Sequence, residues 1–122
     1  MVVNPDQAYS WEISSQVGGF GLSDHSLVMN FYDNDSVGQR DYLNSTYVVL
    51  PTAPHVLNFD LAYAPYEDRQ DILKVKVSTN GGDSWKEVYV KKGIALATAL
   101  ATEERFVPAS NEWKRETVNL NP

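Results

Sequence analysis

The octapeptide Ser78-Thr79-Asn80-Gly81-Gly82-Asp83-Ser84-Trp85 stands between two runs of alternating character, Leu73 to Val77 and Trp85 to Val90. Leu73, Val75 and Val77 alternate with Lys74 and Lys76, the period-two pattern of a half-buried strand. Asn80-Gly81-Gly82 supplies residues that tolerate positive φ, which tight hairpin connections require, and the side chains of Asp83 and Ser84 are able to bond the turn backbone. The stretch predicts the tip of a β-hairpin. Trp85 is expected to fold back over the turn as an apolar lid, with the Asn80 side chain accepting backbone N–H groups.

Outward from this hairpin the strand signals continue. Leu57, Phe59, Leu61 and Tyr63 alternate with Asn58, Asp60 and Ala62, which predicts a strand with its odd positions inward. Tyr47 to Leu50 is a β-branched run stopped by Pro51, and Val118 and Leu120 alternate with Thr117 and Asn119. Breakers at Gly18-Gly19, Asn34-Asp35, Pro51, Pro54, Pro65 and Pro108 separate many short strands. The expectation is an all-β chain, an antiparallel β-sandwich. One stretch dissents: Ile94 to Glu104 is rich in helix formers and opens after Gly93, so a short helix near 94–104 competes with a strand continuing from the hairpin.

The chain has 122 residues, enough for one hydrophobic core and short for two domains, so 1–122 is read as a single domain. Met1 to Gln7 and Asn121-Pro122 read as the points where that domain joins a larger multidomain protein. Met1 leads directly into Val-Val-Asn-Pro-Asp-Gln, which lacks the basic and apolar regions of a signal peptide. No apolar run approaches the roughly 20 residues of a membrane span, so membrane insertion is not expected. Without cysteine there are no disulfides, thiolate metal sites or cysteine nucleophiles. Net charge is −6 and uneven: residues 1–71 carry ten acids against two bases, residues 72–122 six acids against eight bases. The acidic part argues against nucleic acid as a partner, since phosphate backbones need clustered Lys and Arg.

Catalytic signals are sparse. The two histidines, His25 and His55, stand outside any H-E-x-x-H arrangement, and no G-x-S-x-G elbow marks a nucleophile, so the expectation is a protein that is not an enzyme. Seven tyrosines and three tryptophans suit either a β-core or a sugar-binding face, because pyranose rings stack on flat aromatic surfaces. Tyr63 is in phase with Phe59 and Leu61 and reads as core, whereas Tyr32, Tyr42 and Tyr66 fall in loop sequence and are the ligand-stacking candidates, with ordinary packing as the alternative. Asp33 and Asp35 offer hard oxygen ligands within a few residues, a candidate calcium site set against a solvated turn, although the EF-hand spacing is absent. No cofactor is required.

The hairpin stretch fits S-x-[DN]-x-G-x-[ST]-W, the pattern of the Asp-box, a turn found in sialidase-like propellers and in unrelated β-sandwich modules. Together with Leu57-Asn58-Phe59-Asp60-Leu61-Ala62-Tyr63-Ala64, Asp71 to Trp85, Val88 to Gly93, Leu96 to Ala99 and Phe106 to Leu120, it resembles the jelly-roll β-sandwich domains of the MAM, choice-of-anchor J and cleaved-adhesin groups of secreted bacterial surface proteins. That resemblance implies a secreted or cell-surface accessory or adhesion domain that binds carbohydrate or another surface component beside flanking domains, with structural calcium in some relatives. It assigns Asp71, Asn80, Gly82, Ser84 and Trp85 to holding the hairpin, and Trp113 to the start of the final strand. The alternatives are a spacer or interaction domain of a multidomain metalloprotease or adhesin, and a fragment of a sialidase-like glycosidase in which Arg40, Arg69, Arg105 and Arg115 would clamp a carboxylate. One box in a short chain speaks against the fragment, since a propeller repeats its blade about four to eight times.

Overall fold

The computed structural model describes residues 2–3, 11–15, 18, 24–30, 40–50, 52, 54–66 and 70–120. Its strands are β1 (Val2–Val3), β2 (Glu12–Ser14), β3 (Ser26–Val28), β4 (Tyr42–Leu43), β5 (Val56–Leu61), β6 (Ile72–Val77), β7 (Lys86–Lys92) and β8 (Lys114–Asn119). They form four antiparallel pairs: β1 with β4, β2 with β3, β5 with β8 and β6 with β7. The chain is all-β. No helix among the described residues is long and apolar enough to cross a membrane.

The two long pairs follow from the alternation of their sequences. In β5–β8 the register sets Leu57 opposite Val118 and Phe59 opposite Glu116 on one face, with Asn58 opposite Thr117 and Asp60 opposite Arg115 on the other. The second face is a polar ladder: the Thr117 hydroxyl donates to Asn58 Oδ1 at 2.7 Å, and Arg115 donates to both Asp60 carboxylate oxygens at 2.9 and 3.3 Å. Val118 is only 3% exposed, and burying such a side chain is worth about 1.5–3 kcal/mol. In β6–β7 Leu73 faces Lys91 and Val75 faces Tyr89, and a register shift after Val75 adds one residue to β7, as a β-bulge does.

The two pairs meet through these inner side chains. The Phe59 and Tyr89 rings pack edge to face with centroids 5.5 Å apart, and Lys91 donates to Glu116 Oε1 at 2.9 Å. At one end the packing closes over Tyr63, Ala64 and Leu96, all buried. The segment after β7 runs back along residues 63–66: Tyr63 N–H donates to Thr98 Oγ1, Thr98 N–H to the Tyr63 carbonyl, and Thr102 N–H to the Pro65 carbonyl.

Three expectations need correcting. Tyr47 to Leu50 forms no strand, because it has no ladder partner among the described residues. It is instead exposed, Val49 at 96% and Tyr47 at 86%. Near 94–104 only a single 3-10 turn forms, Gly93–Ala95, because the backbone N–H groups of Thr98, Ala99 and Thr102 bond to the carbonyls of residues 63–65 and so do not continue a helix; the strand alternative fails because β7 ends at Lys92, where Gly93 turns the chain at positive φ. Asp71 does not hold the hairpin tip. It precedes β6 at the opposite end, where its carboxylate accepts from the Tyr63 hydroxyl at 2.7 Å and its carbonyl from Gly93 N–H at 3.1 Å.

Candidate functional site

The β6–β7 turn is organised by two side chains. Ser78 Oγ donates to Asn80 Oδ1 at 2.9 Å and accepts the N–H groups of Asn80 and Gly82 at 3.3 and 2.8 Å. Asn80 Oδ1 also accepts Ser84 N–H at 3.0 Å, while Asn80 Nδ2 donates to Ser84 Oγ at 2.8 Å. Each neutral bond adds about 0.5–1.5 kcal/mol at most, less where water competes, but together they fix one turn geometry. Gly81 and Gly82 take φ of 74° and 93°, the left-handed region where a Cβ is strained. Asp83, expected to bond the turn backbone, is exposed and makes no hydrogen bond among the described residues; Ser78 takes that role.

Two aromatic side chains converge on these glycines. A Cβ on Gly82 would lie 3.6 Å from Trp85 Cζ2, so the ring lies against the turn. It is 49% exposed and therefore only half a lid. A Cβ on Gly81 would lie 2.9 Å from the Tyr47 hydroxyl oxygen, which brings in a residue distant in sequence. The turn thus presents a half-exposed indole and a largely exposed phenol against a backbone whose serine and asparagine groups bond one another. Flat apolar faces with polar edges, held on a rigid element, are what a sugar ring requires.

The other candidates lie elsewhere. Tyr32, Asp33 and Asp35 are outside the described residues. Tyr42 is in β4, paired with Val3, and is 39% exposed. Tyr66, expected to be exposed in a loop, is half-buried by its parallel bridge with Thr102. Trp113 directly precedes β8, half-buried behind a 3-10 turn, Ser110–Glu112, where the Glu112 carboxylate accepts Ala109 N–H at 2.9 Å. Arg115 is paired with Asp60. Sequence reasoning missed Tyr47: it read as one more strand residue, and nothing local announces that its hydroxyl reaches Gly81.

Charge is locally paired where β7 meets β8. Glu116 receives Lys91 at 2.9 Å and Lys114 at 3.3 Å, and the Lys91 hydrogen bond holds its carboxyl below the usual carboxylate range. The same bond raises Lys91, whose ammonium also lies 5.6 Å from the centre of the Tyr89 ring. Burial, reinforced by the bond to Asp71, pushes the Tyr63 phenol well above its ordinary value. Among the described residues no group of three or more His, Cys, Asp or Glu is placed to hold a metal ion. Comparison with family models, with curated proteins and with solved structures returns no significant match.

Proposed function

We propose that this chain is a non-catalytic binding module, an antiparallel jelly-roll sandwich belonging to a secreted or cell-surface protein, which holds carbohydrate at the β6–β7 turn. The observation that carries the proposal is the convergence of Trp85, 49% exposed, and Tyr47, 86% exposed, on Gly81 and Gly82. Supporting the sandwich are the inner faces of β5–β8 and β6–β7, which meet through Phe59–Tyr89 and Lys91–Glu116.

A glycan array probed with the wild-type chain and with Trp85→Ala, each with its melting temperature, tests this directly. Binding by the wild type that disappears in a folded variant is the expected result. A blank array for a folded wild-type protein would return the domain to the role of spacer.

A further inference from the structure

We propose that the outer face of the β6–β7 hairpin is a track for a linear uronate-bearing polysaccharide, whose carboxylates lie on Lys74, Lys76 and Lys92 while one ring stacks on Trp85; this rests on the carbohydrate platform proposed above. The register sets Ile72 opposite Lys92, Lys74 opposite Val90 and Lys76 opposite Glu87, all on the face turned away from Val75 and Tyr89. Trp85 directly precedes β7, at the turn end of this strip.

This face is exposed and mixed in character. Ile72 and Val90 are 53% and 49% exposed, and the three lysines are exposed as well. Ile72, Lys74, Val90, Lys91, Lys92 and Ala95 line an open groove of about 390 Å³. The C–H faces of pyranose rings suit its apolar side chains, and carboxylates suit its lysines. Only one carboxylate answers the three ammonium groups: Glu87 holds Lys74 at 3.2 Å, while Lys76 and Lys92 carry no ion pair among the described residues.

Charge complementarity selects the occupant. The chain as a whole is at −6, so a polyanion is attracted to this strip and repelled by the rest. Lysines two residues apart on a strand are about 7 Å apart, a spacing for well-separated charges. Duplex DNA carries one charge per about 1.7 Å of axis, too dense for three lysines on an acidic protein. An anionic bilayer gains only about 1 kcal/mol per lysine and would press against the same acidic surroundings. A polysaccharide with one carboxylate per sugar or per disaccharide fits the sparse strip, and the aromatic end supplies stacking that the other two polyanions would not use in this way.

Affinity electrophoresis in gels carrying polygalacturonate, or the same polymer fully methyl-esterified, provides the test. The free-carboxylate polymer is expected to retard the chain more strongly, with retardation fading as salt shortens the Debye length from about 30 Å to about 3 Å. Lys76→Gln combined with Lys92→Gln is expected to lower the affinity about threefold to tenfold with an unchanged melting temperature, since both side chains are exposed. Equal retardation by the two polymers overturns the charged track and leaves the Trp85 platform standing. Retardation by neither overturns the track; if the glycan array is blank as well, the platform falls with it. Stronger binding to phosphatidylserine vesicles or to a single-stranded oligonucleotide than to polygalacturonate overturns the assignment to a polysaccharide.

Discussion

The Tyr63 hydroxyl donates to Asp71 Oδ2 at 2.7 Å and so ties the chain leaving β5 to the chain entering β6. The same Asp71 accepts Gly93 N–H through its carbonyl, and the Tyr63 backbone exchanges bonds with Thr98. Two residues thus join three segments at the most buried end of the molecule, where Tyr63 is 6% and Leu96 4% exposed. Tyr63→Phe is expected to cost about 1–3 kcal/mol, the worth of a buried bond to a charged acceptor. Urea denaturation should show this as a lower midpoint at constant slope. Asp71→Asn keeps an acceptor oxygen and should lose less.

Asn80 organises the turn through both atoms of its amide. Asn80→Ala removes the acceptor for Ser84 N–H and the donor to Ser84 Oγ, and should cost about 1–2 kcal/mol. Asn80→Asp keeps the acceptor and loses only the donor, so thermal denaturation should place it close to wild type. Equal losses in both variants would mean that Oδ1 is not what holds the turn.

Gly81→Ala meets two obstacles, a φ of 74° and the Tyr47 hydroxyl 2.9 Å from the new carbon, whereas Gly82→Ala meets a φ of 93° and an ordinary contact with Trp85. Both should destabilise by about 1 kcal/mol or more, because alanine is strained at positive φ. Only Gly81→Ala should also displace Tyr47, and combining it with Tyr47→Ala should recover part of its loss. Strict additivity of the two changes, measured as a double-mutant cycle, would separate Tyr47 from the turn.

The Lys91–Glu116 pair sets a pH window. Glu116 is held low by Lys91, so its contribution is complete above the ordinary carboxylate value of about 4.3 and is lost as pH falls through the lower folded value. Lys91 is raised by the same bond, so its contribution is complete below about 10.4 and is lost as pH rises through the higher folded value. The stability difference between wild type and Glu116→Gln should be flat between these limits and shrink on the acid side. A difference that persists in acid would mean the charge on Glu116 contributes nothing.

Local chemistry made the hairpin legible in the sequence. Alternation at Leu73, Val75 and Val77 fixes which face is buried, and Asn80-Gly81-Gly82 admits the backbone that joins the strands; both are decided within a few residues. The strand over Leu57 to Leu61 and the inward Val118 were legible for the same reason. Tyr47 to Leu50 was not, because β-branched side chains favour an extended backbone without supplying a partner strand. Asp71 was assigned to the nearest recognisable turn, whereas its partners Tyr63 and Gly93 come from separate segments. Half of the candidate site was hidden likewise: Trp85 belongs to the turn and could be found there, but Tyr47 reaches Gly81 only through tertiary packing. How much of the Trp85 ring stays exposed depends on what the rest of the fold leaves uncovered.

Trp85→Ala should separate stability from binding. A fully buried indole would cost about 3–5 kcal/mol on truncation, and one that is 49% exposed should cost nearer 1–2 kcal/mol, leaving the variant folded at room temperature. Loss of fold in that variant would show that the ring serves the turn more than its exposure indicates.

The most direct measurement follows the indole N–H signals of Trp11, Trp85 and Trp113 by heteronuclear NMR while an oligosaccharide from the strongest array hit is titrated into the wild-type chain. The expected result is a saturable shift of the Trp85 signal, with the Trp11 and Trp113 signals unmoved. A titration that moves Trp11 or Trp113 and leaves Trp85 in place, or one that moves none of them while binding is recorded, would contradict the assignment of carbohydrate binding to the β6–β7 turn.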